Sequence, residues 1–297
     1  MTKNNQMIKK VILFAVILLN SYTASAQSAT IKVEGIKRKY IIYLPKGYQA
    51  DQTYPLVLNF HGGGMTAAEQ MFYTRMNQAA DRYKFIVVYP AGIKNDWNVG
   101  FETSYRNGTD DVGFIKGLTD SLKQKFHIDQ KAVFATGLSR GGFFCHRLAA
   151  ELPLDFAAIA SVGGPLPDSV RYYHRFPKSI SVMQVHGNED QVVSYTGEKG
   201  SYASAQATFG YWLDANRLTG KIIKARSINA DKKDGTAVVV KEVEDTKAAV
   251  TLVTVINGGH TWPGSDAFNI GYPLGKTTND IDMNEMIWKF FSKHKKK

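Results

Sequence analysis

Short apolar runs of five to seven residues recur along this chain, and most are followed by a stretch with helical spacing. A run of that kind suits a strand buried on both faces of a parallel sheet, and parallel strands need crossover connections, usually helices. Pro55–Phe60, Phe85–Tyr89 (stopped by Pro90), Ala132–Thr136, Ala157–Ser161 and Ile180–His186 are such runs, with further strands at Val238–Val243 and Val250–Ile256. Two short strands, Thr30–Val33 and Arg38–Leu44, come first. Between them, Thr66 with Glu69 three residues on forms a capping box for a helix running to about Tyr83. Asp110 and Asp111 open another, whose Val112, Ile115, Leu122 and Phe126 share one stripe. A glycine-rich turn starts a helix ending near Glu151. Another spans about Ser201–Asn216, and the last carries Ile281, Met286, Ile287, Phe290 and Phe291. The pattern predicts α/β architecture: one doubly wound, mostly parallel sheet over residues 27–297, with no large lid domain.

The N-terminus reads differently. Lys9 and Lys10 precede the unbroken apolar run Val11–Leu19, and a polar stretch ends in Ala24-Ser25-Ala26-Gln27. A basic start, a short apolar core and a small-x-small site predict a signal peptide over residues 1–26 and a secreted or periplasmic protein. The run is less than half of a membrane span, and no cysteine stands at the cleavage site to carry a lipid, so no membrane anchor is expected after cleavage. The formal charge of +11 does not imply nucleic acid, because seven of those charges are lysines in the first ten and last five residues. Cys145 is the single cysteine, which excludes an internal disulfide, a cysteine zinc site and a CxxC centre. With no HExxH, P-loop or strand-linked GxGxxG, neither a metal nor another cofactor is expected.

Gly137-Leu138-Ser139-Arg140-Gly141-Gly142 lies between a strand and a helix, the setting that a G-x-S-x-G nucleophile turn requires. A serine hydroxyl needs a base to take its proton and a position clear of the backbone so that a carbonyl can approach. A sharp turn supplies the position, and the helix-start amide of Arg140 faces the oxygen on which negative charge would develop. In this architecture the acid and the histidine follow the nucleophile in the chain. His260, in Gly258-Gly259-His260-Thr261-Trp262 just past a strand end, is the candidate base. His174 and His294 read as solvated, His146 as a packing or surface residue, and His186 as a support of the loop backbone. The acid is expected after the preceding strand, in His186-Gly187-Asn188-Glu189-Asp190. Asp190 is favoured there, with Glu189 as its rival. His61-Gly62-Gly63-Gly64 follows an early strand in the manner of a second oxyanion donor, offering Gly63 or Gly64.

On these motifs, together with Trp97-Asn98-Val99-Gly100, Asp110-Asp111-Val112-Gly113-Phe114-Ile115 and Gly258-Gly259-His260-Thr261-Trp262-Pro263-Gly264, the chain resembles a known family. It is similar to the secreted polyhydroxybutyrate-depolymerase-like and feruloyl-esterase-like α/β hydrolases, carbohydrate esterase family 1, over roughly residues 31–294. The resemblance implies an α/β-hydrolase fold and gives Ser139, Asp190 and His260 the nucleophile, acid and base roles. The chain departs from many such proteins in lacking cysteine pairs and in carrying Ser194 where proline is commoner.

The expected activity is therefore a serine carboxylic-ester hydrolase whose partner is an ester-bearing polymer or oligomer. Trp97 and Trp262 are the candidate substrate-binding aromatics, since aromatic faces suit phenolic acids and sugar rings alike. Feruloyl or acetyl groups on plant xylan are the first expectation, and polyhydroxyalkanoate esters the second. A carbohydrate-binding protein on an inactive scaffold is a more distant reading, as is a serine peptidase.

Overall fold

The computed structural model describes residues 25–101, 103–174, 178–265 and 274–296. The chain begins with a hairpin, β1 (Ala26–Val33) and β2 (Ile36–Tyr43), whose strands pair antiparallel. The parallel part is built from β3 (Tyr54–Phe60), β4 (Ile86–Pro90), β5 (Ile128–Leu138), β6 (Ala158–Val162), β7 (Ser181–Gly187) and β10 (Ala249–Ile256). An antiparallel edge, β8 (Lys224–Ile228) and β9 (Ala237–Glu244), closes the other side. Among the described residues the strands form a single sheet in the order β1-β2-β4-β3-β5-β6-β7-β10-β9-β8. It is the doubly wound, mostly parallel sheet that the alternating pattern predicts.

The helices divide between the two faces because each central strand is apolar on both. On β3, Leu56, Leu58 and Phe60 face one way, toward α3 (Asp111–Lys125), α4 (Arg140–Glu151), α5 (Asp168–Tyr173) and α6 (Ala205–Ala215). Val57 faces the other way, toward α1 (Ala67–Thr74), α2 (Met76–Tyr83) and α7 (Met283–Lys293). Among the described residues no helix is long and apolar enough to cross a membrane.

Several expectations are corrected. The helix expected over Thr66–Tyr83 starts with the predicted capping box, but it breaks at Arg75, whose φ of 51° is left-handed. The break frees the Thr74 carbonyl, which accepts a 2.7 Å hydrogen bond from Asn284 of α7 and so ties the helix pair to the end of the chain. Strand β8 escapes sequence reading because it is an exposed edge strand with no apolar run. Helix α5 is only six residues long. Asp110 caps α3, accepting from the Gly113 amide at 2.8 Å, and Asp111 opens its first turn as expected but has a further role. It is buried and paired with Arg38 of β2 at 2.7 Å, and it accepts the Asn98 amide at 2.8 Å. Burial raises its carboxyl pKa, against the Asn98 and Arg38 contacts that favour the charge. The expected signal peptide lies outside the described residues except for its last two, and β1 begins at Ala26.

Candidate active site

Four loops at the carboxyl ends of β3, β5, β7 and β10 converge on one cavity of about 380 Å3. Ser139 sits between β5 and α4 with φ 54° and ψ −119°, a conformation that a non-glycine residue adopts only when its surroundings hold it there. The hold is visible. The Ser139 amide donates to Val162 O at 2.8 Å, and its carbonyl accepts from Phe143 N at 2.9 Å. A Cβ on Gly141 would overlap the Phe60 carbonyl oxygen, and one on Gly142 would lie 2.6 Å from Ser161 Oγ. Glycine at these positions lets α4 leave the strand end sharply, which lifts Ser139 to the cavity wall.

His260 also lines this cavity and is otherwise buried, 3% exposed. Its amide donates to Leu274 O, and its Nδ1–H donates to Asp190 Oδ2 at 2.7 Å. Ser139 Oγ makes no hydrogen bond to His260 among the described residues; such contacts often close only when substrate is present. The other oxygen of Asp190 accepts the amides of Val192 at 2.9 Å and Val193 at 2.8 Å. Burial would raise the pKa of this carboxyl, but the hydrogen bonds from His186 and His260 outweigh it and hold the group well below the usual carboxylate range. Glu189, the rival, is exposed, and its amide is tied to Gly258 O at 3.0 Å.

For the oxyanion, the Arg140 amide is the first of α4 and therefore has no partner within the helix. Gly63 lines the cavity, its position facing Arg140. Gly64 does not line it and donates its N–H to Asn95 O at 2.9 Å, so of the two expected glycines Gly63 faces the site and Gly64 is spent elsewhere. Buried His61 holds this loop: its Nδ1 bonds Gly62 O at 2.8 Å, and its Nε2 accepts the Gly92 amide at 2.9 Å. Burial lowers its pKa, which favours the neutral ring that this pairing requires.

Neither tryptophan reaches the cavity, which corrects the expectation that Trp97 and Trp262 bind substrate. Trp97 is 2% exposed, stacks on Phe144 with ring centres 5.0 Å apart, and donates Nε1–H to the His61 carbonyl at 3.0 Å. Trp262 is equally buried, with its indole nitrogen 3.3 Å from Asn284 Oδ1. Both brace loops of the site from behind. The walls are instead Met65, Leu138, Phe101, Phe143, Val192, Val193 and Leu274, with Tyr202 and Glu198 on one side. Apart from Leu138, which lies within the nucleophile turn, they come from segments far apart in the chain and carry no local motif. The Arg140 guanidinium, 3.0 Å from Asp96 Oδ1, lies 4.9 Å from the Phe101 ring centre. The other histidines are also placed. His146 is fully buried, His174 is half-buried against the Tyr105 hydroxyl at 3.1 Å, and His294 bonds Phe290 O at 2.7 Å, so neither of the last two is merely solvated. A larger groove of about 640 Å3, between α7 and the β8–β10 side of the sheet, contains none of the converging residues.

A mostly parallel sheet with helices on both faces, a strained serine at a strand-to-helix turn and a buried histidine–carboxylate pair define an α/β hydrolase. Residues 38–186 match the family described as esterase PHB depolymerase, and the chain belongs to that family; it is a carboxylic ester hydrolase. Over 259 residues it is 30% identical to the protein named "Putative esterase NocK" of Nocardia uniformis subsp. tsuyamanensis, a match spanning 81% of this chain and 75% of that one. It is 25% identical to feruloyl esterase B of Piromyces equi over 243 residues, 75% of this chain but 42% of that protein. Its fold is similar to the solved acetyl xylan esterase from Aspergillus awamori, with a TM-score of 0.65 at 14% identity, covering 90% of this chain and 99% of the other.

Proposed function

We propose that this protein is an exported serine esterase acting on feruloyl or acetyl esters of plant xylan, with Ser139, His260 and Asp190 as its catalytic triad. The observation that carries the reading is the 2.7 Å bond from His260 Nδ1 to Asp190 on the cavity that the strained Ser139 lines. That bond leaves Nε2 of His260 as the free lone pair. Nε2 takes the Ser139 proton as Oγ attacks the ester carbonyl, and Asp190 stabilises the imidazolium that results. The carbonyl oxygen, now negative, is met by the amides of Arg140 and Gly63. His260 then protonates the departing alkoxide, and water repeats the sequence on the acyl-enzyme.

For the acyl group, the cavity is apolar on most sides and far larger than an acetyl group fills. Phe101 and Phe143, edge-to-face with ring centres 4.9 Å apart, offer an aromatic wall suited to a hydroxycinnamoyl ring. The feruloyl and acetylxylan esterases among its relatives and structural neighbours support the same class. Export rests on the N-terminal sequence. The description of the family itself favours a second reading, hydrolysis of polyhydroxybutyrate. Release of ferulate from feruloylated arabinoxylan, measured beside release of hydroxybutyrate from the polyester and with a Ser139→Ala control, tests the choice. Activity on the polyester alone would reverse it.

A further inference from the structure

Behind the proposed triad runs a buried chain of polar side chains that the mechanism above does not use. Trp212 of α6 donates Nε1–H to His146 Nδ1 of α4 at 3.0 Å. His146 Nε2 lies 2.9 Å from Gln184 Oε1 on β7. Gln184 Nε2 donates to Val185 O at 3.3 Å and approaches His186 Nδ1 at 3.5 Å. His186 Nε2 lies 2.8 Å from Val193 O and 3.3 Å from Asp190 Oδ2, the oxygen that His260 also uses. All six side chains from Trp212 to His260 belong to residues at most 6% exposed.

The proton positions along this chain are fixed by chemistry at both ends. An indole nitrogen only donates, so His146 Nδ1 must accept and its proton must sit on Nε2, facing the Gln184 carbonyl oxygen. The Gln184 amide nitrogen then points to Val185 O and His186. At the other end a carbonyl only accepts, so His186 Nε2 must carry a proton for Val193 O, and its Nδ1 is the acceptor facing Gln184. Burial lowers the pKa of His146 to about 4, against the hydrogen bonds to Gln184 and Gly164, so the ring is neutral near pH 7, as this arrangement needs.

We infer that His186 is a positioning residue of the proposed triad: its Nε2–H, oriented by the Trp212–His146–Gln184 chain, leans on Asp190 and limits how strongly that carboxylate raises the basicity of His260. The inference rests on the triad reading. Asp190 spreads its charge over the amides of Val192 and Val193, His260 and His186. Remove the His186 donor, and more of that charge falls on the His260 imidazolium. Other titratable groups facing the pair are Tyr195, its ring edge-on to His186 at 5.7 Å, and Tyr202 on the same loop, whose hydroxyl accepts the Ser194 amide. Burial raises the Tyr202 pKa, which keeps its hydroxyl protonated near neutral pH.

Two measurements test this. The first is the pH profile of kcat/KM on an uncharged aryl ester, whose acid limb reports His260 in the free enzyme. With His186→Leu the limb is expected to rise by about half a unit or more, equal to about threefold or more in proton affinity. His186→Gln, which restores an N–H donor, is expected to bring it back toward the parent value. A limb that stays put in His186→Leu while turnover falls would overturn the proposal and leave a structural role. So would a limb displaced as far by His186→Gln. The second needs no His186 variant: nitrogen NMR of the imidazoles in the full protein is expected to find both His146 and His186 protonated on Nε2. Either ring protonated on Nδ1 instead would overturn the chain. Failure of the triad would announce itself separately, as activity surviving in Ser139→Ala.

Discussion

Replacing Asp190 with asparagine gives a prediction whose atoms can be followed one by one. Oδ1 of Asp190 accepts two backbone amides, from Val192 and Val193, at 2.9 and 2.8 Å. An asparagine must keep its carbonyl oxygen there, because turning the amide over would set its NH2 against two N–H donors. Its NH2 is thereby forced into the position of Oδ2, 2.7 Å from His260 Nδ1. A donor at that place makes Nδ1 the acceptor and moves the ring proton to Nε2, the atom that receives the Ser139 proton in the proposed mechanism. The base is blocked by its own tautomer, with the fold otherwise intact. In a serine protease the corresponding change costs about 10⁴-fold, which is about 5.4 kcal/mol at 1.36 kcal/mol per tenfold. The same NH2 also opposes His186 Nε2–H, 3.3 Å from that oxygen, so a stability loss of about 1–3 kcal/mol is expected as well. Initial rates on an aryl acetate give kcat/KM, and urea unfolding with the same samples separates the two effects. A fall in kcat/KM of less than about tenfold in folded Asp190→Asn protein would refute the tautomer argument.

Other expectations follow from the same contacts. Trp97→Phe should leave KM within about twofold but cost about 2 kcal/mol in urea unfolding, since it removes the hydrogen bond to His61 O and part of the stack on Phe144; a large rise in KM with unchanged stability would return Trp97 to the substrate. Arg38→Met should destabilise by about 3–5 kcal/mol because Asp111 is left buried without its cation, a loss that urea titration at neutral pH would measure. His146 gives a pH dependence of stability: its pKa is about 4 in the folded state against 6.5 unfolded, so its contribution is complete above pH 6.5 and is lost as the pH falls from there to about 4. The 2.5-unit difference corresponds to about 3 kcal/mol, and His61, also lowered by burial, adds in the same sense. Urea midpoints at pH 7 and pH 4 would check it, and an unchanged midpoint would contradict it.

The residues best foreseen from sequence were those whose role is written into local backbone chemistry. Gly137, Gly141 and Gly142 announce a sharp strand-to-helix turn, Thr66 with Glu69 announces a cap, and unbroken apolar runs announce the central strands. The turn around Glu189 and Asp190 leaves two adjacent carboxylates open to local reasoning, and their burial separates them. A loop position suggests exposure for Trp97 and Trp262, while what covers each ring comes from residues distant in sequence, such as Phe144 and Asn284. Arg75 breaks a helix that its sequence would continue, and the partner that uses the break lies on α7. Asp111 is the helix-start charge that its position predicts, but its pairing with Arg38 of β2 is not legible locally. In each case the missing information was tertiary: which distant side chain meets a donor, an acceptor or an apolar face.

Treatment with a fluorophosphonate probe, followed by mass-spectrometric mapping of the adduct, addresses the nucleophile directly, because phosphonylation needs a hydroxyl activated by its neighbours. One adduct on the peptide containing Ser139, lost when His260 is replaced by alanine, is the result expected. An adduct on a different serine, or none in folded and otherwise active protein, would contradict the assignment.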